Sequence, residues 1–102
     1  MIPEQVLDEA ARRFSLLGDP TRLRILNALH VGGDCSVGQI ATSTGQSLAN
    51  VSQHLGRLLS AGIVRRRRDG KVVMYSIADD TIASLCDIVC TSVRDRAVVL
   101  SR

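Results

Sequence analysis

The dipeptide Asp69-Gly70 stands between two β-branched runs, 63–68 and 72–77, and this spacing constrains the chain more than any other feature. Aspartate-glycine between two such runs is the strongest short-range signal for a β-hairpin, because glycine accepts a left-handed backbone without steric cost. In the second run Val72, Met74 and Ser76 share one face and Val73, Tyr75 and Ile77 the other, which is the two-residue period of a strand. Before Gly62 the apolar residues recur with the 3.6-residue period of helices instead.

Those helices are marked by their ends. Val6, Leu7, Ala10, Ala11, Phe14 and Leu17 line one face over residues 3–17, and Gly18 closes it. Asp19 reads as an N-cap, with Pro20 at the first helical position, where a missing N–H is harmless. The second helix is expected to bury Leu23, Ile25, Leu26 and Leu29 and to stop at Gly32-Gly33. Ser36 and Gln39 have capping-box spacing for a short third helix that Gly45 closes. Ser47 caps a fourth, residues 48–61, whose Leu48, Val51, Leu55 and Leu58 are expected to face the core; Gly62 ends it. Asp79 caps a last helix from Asp80 to about Val99, with Ile82, Leu85, Cys86, Val89, Val93 and Ala97 in one stripe. The expected fold is mainly α with a β-hairpin, in the order four helices, two strands, one helix.

A chain of 102 residues makes a single domain, 1–102. With one Phe, one Tyr and no Trp, its core is aliphatic. The charge is segregated. Residues 41–71 carry Arg57, Arg65, Arg66, Arg67, Arg68 and Lys71 against Asp69 alone, while the rest has seven arginines against nine acids. A basic excess gathered in one segment favours a polyanionic partner. No apolar run approaches the roughly 18 residues of a membrane span, and the N-terminus lacks a basic-then-apolar signal pattern. The expected location is the cytoplasm.

Two short helices joined by a tight turn, 39–44 and 48–61, make a helix-turn-helix, and the hairpin after them makes a wing. A helix about 10–12 Å across fits the major groove of DNA, where each base pair shows a distinct pattern of donors and acceptors. With the apolar residues of the fourth helix turned inward, Ser47, Asn50, Ser52, Gln53, His54 and Arg57 are left outward, and the helix has no acid. Arg66, Arg67, Arg68 and Lys71 flank the hairpin tip. Arginines alternate across a strand, so only some of them can face one way; those that reach DNA are expected to grip phosphates and carry little sequence information.

The segments LGDPTRLRILNAL and SVGQIATSTGQSLANVSQHLGRLLSAGIVRRRRDGKVVMYSI resemble the ArsR/SmtB family of bacterial winged-helix repressors, over about residues 14–85. The D-P-T-R-L-x-I-L entry to the second helix, V-S-x-H-L in the fourth and the G-x-x-x-x-Y-x-I wing carry the resemblance together. It implies a homodimer joined through the first and last helices and bound to an inverted repeat in double-stranded operator DNA. It also implies release by an inducer at a cysteine- or histidine-lined site. At the family's thiolate position by the third helix this chain reads Asp34-Cys35-Ser36-Val37-Gly38, with the cysteine one place early. At the zinc position of the last helix it offers Asp79, Thr81, Ser92 and Asp95, without histidine.

Three cysteines remain: Cys35, Cys86 and Cys90. Cys86 and Cys90 are one turn apart on one helix face, and three soft thiolates suit arsenite, cadmium or lead as inducer better than zinc or nickel. The alternatives are a constitutive or non-metal-responsive DNA-binding regulator of the same fold, controlled by redox or a protein partner, in which the cysteines are redox sensors or packing residues, or a small RNA-binding domain. The last would normally stack bases on aromatic side chains, and Tyr75 is the one tyrosine. Enzyme chemistry is not expected. The two histidines, His30 and His54, have no triad partners, and neither a C-x-x-C pair nor a glycine-rich phosphate loop is present.

Overall fold

The computed structural model describes residues 1–100. The chain runs α1 (Glu4–Leu17), α2 (Pro20–Gly32), β1 (Cys35–Ser36), α3 (Val37–Thr44), α4 (Leu48–Ser60), β2 (Val64–Asp69), β3 (Val72–Ile77) and α5 (Asp80–Leu100). Local hydrogen bonds fix most of these ends. Asp19 Oδ1 accepts from the N–H groups of Thr21 (2.7 Å) and Arg22 (3.3 Å). Ser36 and Gln39 complete a reciprocal capping box, Ser47 Oγ accepts from Asn50 N–H, and Asp79 Oδ1 accepts from Thr81 and Ile82 N–H. Each satisfies amide donors that the first helical turn cannot satisfy itself.

The sheet has one strand more than expected. Its order is β1-β3-β2, antiparallel throughout, with Cys35 opposite Tyr75 and Ser36 opposite Met74. Two residues are too few to show a strand period, so β1 owes its existence to the edge of β3 beside it. The hairpin turn also sits one place later than the Asp69-Gly70 signal suggests. Asp69 pairs with Val72, leaving Gly70-Lys71 as the loop. Gly70 has φ 64° and among the described residues none other than glycine has a positive φ, the pattern of a type II′ turn.

Helix α2 is central, packed against α1, α3, α4, α5 and β3. Ile25, Ile40, Val51, Leu55, Leu58 and Ile63 are fully enclosed, and truncating such a residue to Ala costs about 2–5 kcal/mol. Two expected core residues lie elsewhere. Leu48, in the first turn of α4, precedes the packed part of the helix and is 61% exposed. Leu23 is at the rim, and Arg22 takes the inward position instead, since 22, 25, 26 and 29 are the residues that share one face of a helix.

The outer helices keep part of their apolar surface uncovered. On α1 Val6, Leu7 and Phe14 are exposed, and on α5 Val89 and Val93, although Ile82 at the start of the same stripe is buried. Phe14, Leu17, Leu23, Leu85 and Val89 border an apolar recess of about 290 Å³ between α1, α2 and α5. Large exposed apolar patches on proteins commonly mark interaction sites. Among the described residues no helix is long and apolar enough to cross a membrane.

Candidate nucleic-acid interface

The turn between α3 and α4 is fixed by Gly45, whose backbone is left-handed (φ 69°), a conformation in which any other residue would be strained. From there Val51, Leu55 and Leu58 hold α4 to the core, and the opposite face is open to solvent. Ser52, Gln53 and Arg57 are exposed there, as are Ala49, Gly56 and Ser60. The centre of this face is thus made of short side chains, which let a helix sit deep in a groove.

Three of the expected outward residues are already engaged. Ser47 Oγ caps the helix at 3.0 Å from Asn50 N. The Asn50 side chain is half-buried and donates through Nδ2 to Gln46 Oε1 at 2.7 Å, leaving its carbonyl oxygen to act as an acceptor. His54, expected to point outward, is half-buried. Its Nδ1 accepts a hydrogen bond from Nε of Arg22 at 3.2 Å. The sequence reading missed Arg22, although its place in the 22/25/26/29 spacing was the available signal.

The wing divides its arginines by face. Directly opposed residues share a face of a sheet, so Arg66 and Arg68, opposite Tyr75 and Val73, continue the side that carries the buried Val64 and Tyr75. Arg65 and Arg67, opposite Ser76 and Met74, take the other. Arg67 does not stand ready for phosphate as expected. Its Nη2 and Nε donate to Asp34 Oδ2 at 2.6 and 3.0 Å, across the sheet from β2 to the residue before β1. The bond to the Asp34 carboxylate holds the Arg67 guanidinium above its already high ordinary pKa. Among the described residues Arg57, Arg66, Arg68 and Lys71 have no such ion pair, unlike Arg12 and Arg13, which bond Glu9, and Arg13, which also bonds Asp79 at 2.6 Å.

The cysteines do not form the expected three-thiol set. Cys35 lines a recess between α2 and α3 with Arg24, Asn27 and Gln39, whereas Cys86 and Cys90 line a separate, small one between α2 and α5 with His30 and Asp87. Among the described residues no three His, Cys, Asp or Glu side chains are grouped to hold a metal ion. Burial, and secondarily the neighbouring Cys90, push the Cys86 thiol above its ordinary pKa, which disfavours the thiolate that a metal needs. Of the family's zinc positions, Asp79 is occupied by its cap and by Arg13.

Comparison with known proteins agrees with this geometry. A family described as a helix-turn-helix domain matches residues 17–67. An HTH-type transcriptional regulator of Mycobacterium tuberculosis is 47% identical over 76 residues, 74% of this chain and 66% of that protein's length, so the chain spans just under two thirds of that relative. A protein of Streptomyces lividans named "Probable mercury resistance operon repressor" is 37% identical over 93 residues, 91% of this chain and 74% of its own. Among solved structures, the homodimeric winged helix-turn-helix DNA-binding domain of Mb0332 from Mycobacterium bovis, described as a possible ArsR-family regulator, superposes with a TM-score of 0.82 at 35% identity. That match covers 91% of this chain and 85% of the other. The antimony-specific transcriptional repressor AntR gives a TM-score of 0.87 at 28% identity, over 95% and 87%.

Proposed function

The chain belongs to the ArsR/SmtB family of winged helix-turn-helix transcriptional regulators, and from that premise we propose that it is a dimeric repressor that binds a two-fold-symmetric operator. One observation carries the reading. An acid-free helix face of Ser52, Gln53 and Arg57 lies in one frame with a wing whose Arg66, Arg68 and Lys71 are unpaired among the described residues. In this reading Gln53, with the Asn50 carbonyl, reads base edges, while Ser52, His54, Arg57 and the free wing cations hold phosphates. The exposed apolar faces of α1 and α5 meet a second copy, which sets the two α4 helices about one DNA turn apart. The test is selection of binding sites from random duplexes, followed by titration of the recovered site and a scrambled control. Selection that returns no inverted repeat, or a protein that stays monomeric at the concentrations used, would sink it.

Relatives named for mercury and antimony support a soft metal ion or metalloid as inducer, of the class of arsenite, cadmium or lead. Within one chain the thiols that share a recess are Cys86 and Cys90, while Cys35 lines another. That separation equally favours a second reading, in which the thiols are packing residues and release from DNA has another cause. DNA titration with arsenite or cadmium, on wild type and on Cys86→Ser/Cys90→Ser, decides between them. Binding unchanged by either ion selects the second.

A further inference from the structure

Arg22 is the only charged residue among those described that the core encloses, at 8% exposed. A guanidinium taken out of water demands compensation, yet no carboxylate pairs with it in the structure. Its Nε–H donates to His54 Nδ1 at 3.2 Å and its Nη1 reaches the Leu16 carbonyl at 3.5 Å. The Asp19 carboxylate is at the cap of the same helix, where its Oδ1 accepts from the Arg22 backbone N–H at 3.3 Å.

An Nδ1 that accepts is an Nδ1 without a proton, so the single N–H of the neutral imidazole must be on Nε2. Nε2 has no protein partner, and no buried side-chain nitrogen or oxygen among the described residues lacks one, so Nε2 reaches solvent. By its place on α4, His54 is on the flank of the open face, beside Asn50 and Arg57. A groove-bound helix turns such a flank to the sugar-phosphate backbone.

We infer that Arg22 is a positioning residue for DNA binding: it fixes the His54 ring in one tautomer and orientation, with Nε2–H aimed at a phosphate. This is how a second partner on the far nitrogen commonly orients a working histidine. The inference rests on the DNA-binding reading of α4.

The experiment measures binding of a labelled mixed-sequence duplex by fluorescence anisotropy at several salt concentrations, on folded protein checked by circular dichroism. Arg22→Met, His54→Ala and the double variant are each expected to bind roughly tenfold more weakly than wild type, the scale of one hydrogen bond to a charged group. The double should be no weaker than either single. The salt slope should stay unchanged, since a neutral donor releases no counterion. His54→Asn keeps an acceptor for Arg22 but loses the Nε2 donor, so it should melt near the wild-type temperature and bind as weakly as His54→Ala. It decides the matter if Arg22→Met fails to fold. Duplex affinity equal to wild type in Arg22→Met or in His54→Asn, or additive losses in the double, overturns the positioning role. A wild-type protein that binds no duplex removes the DNA-binding reading itself.

Discussion

In the proposed complex the wing and the α4 helix would meet the same partner with opposite means. The wing offers long, charged, exposed side chains on a two-stranded ribbon. The helix offers short, mostly neutral ones, several of them already tied down by hydrogen bonds to Gln46, Arg22 or the helix's own first turn. Long-range attraction to a polyanion falls off within about a Debye length and ignores sequence. Short fixed donors act only at contact, where base edges differ. In the proposed complex the contrast would separate affinity from specificity by region, and it can be broken experimentally.

The largest effect should come from the wing. Arg66→Ala, Arg68→Ala and Lys71→Ala combined should weaken operator and random DNA alike, and each lost phosphate contact should flatten the plot of log K against log salt by about 0.9. A salt slope equal to that of wild type would mean that the wing never reaches DNA. Next in size, Gln53→Ala should cost roughly 1–3 kcal/mol on the selected operator and little on random DNA. Asn50→Ala should cost less, because its amide already bonds Gln46. Equal losses on both DNAs would remove base reading from this helix.

A third expectation concerns the support under α4 and leaves the wing aside. Partial burial works against the Asp19 charge, but the Arg22 and Thr21 N–H groups, with the His54 and Arg22 side chains adding to them, together outweigh it and lower its pKa below the ordinary carboxylate value. An acid with a depressed folded-state pKa stabilises the fold fully above its unfolded value, and the contribution fades as pH falls through the folded one. Thermal melts should therefore lose part of their acid sensitivity in Asp19→Asn; melting curves that keep the wild-type dependence below the usual aspartate range would contradict this. The smallest effect on DNA should be that of Arg67→Ala. Held by Asp34, this arginine should leave the salt slope unchanged, in contrast to its neighbours at 66 and 68. A slope flattened as much as theirs would show that Asp34 yields Arg67 to phosphate.

What could be read from the sequence was what is local. The caps at Asp19, Ser36, Ser47 and Asp79 involve partners two or three residues on, so short spacings announced them, and the change of period announced the wing. The contacts that redefine the candidate site join residues far apart. Arg22 and His54 are 32 positions apart, and Asp34 and Arg67 are 33. A periodicity argument marks a position as inward or outward without saying what it meets there. It also counted Phe14 and Val93 among apolar faces without distinguishing a core from an uncovered surface; both are largely exposed in the single chain. Gly56 gave no periodic signal, yet nothing lies within 4 Å of where its Cβ would be.

The two-residue strand β1 has a further consequence, for the order in which the molecule assembles. The hairpin closes over a two-residue loop, a local event of about 1–10 μs, whereas β1 and β3 join Cys35 to Tyr75, forty positions apart, with α3 and α4 inside the closed loop. The chain entropy lost in closing that loop is recovered only once the enclosed helices have packed. The hairpin can thus form early, but its third strand must dock late. Until that pairing is made the basic ribbon has no fixed angle to α4, and the finished helix-turn-helix supplies it.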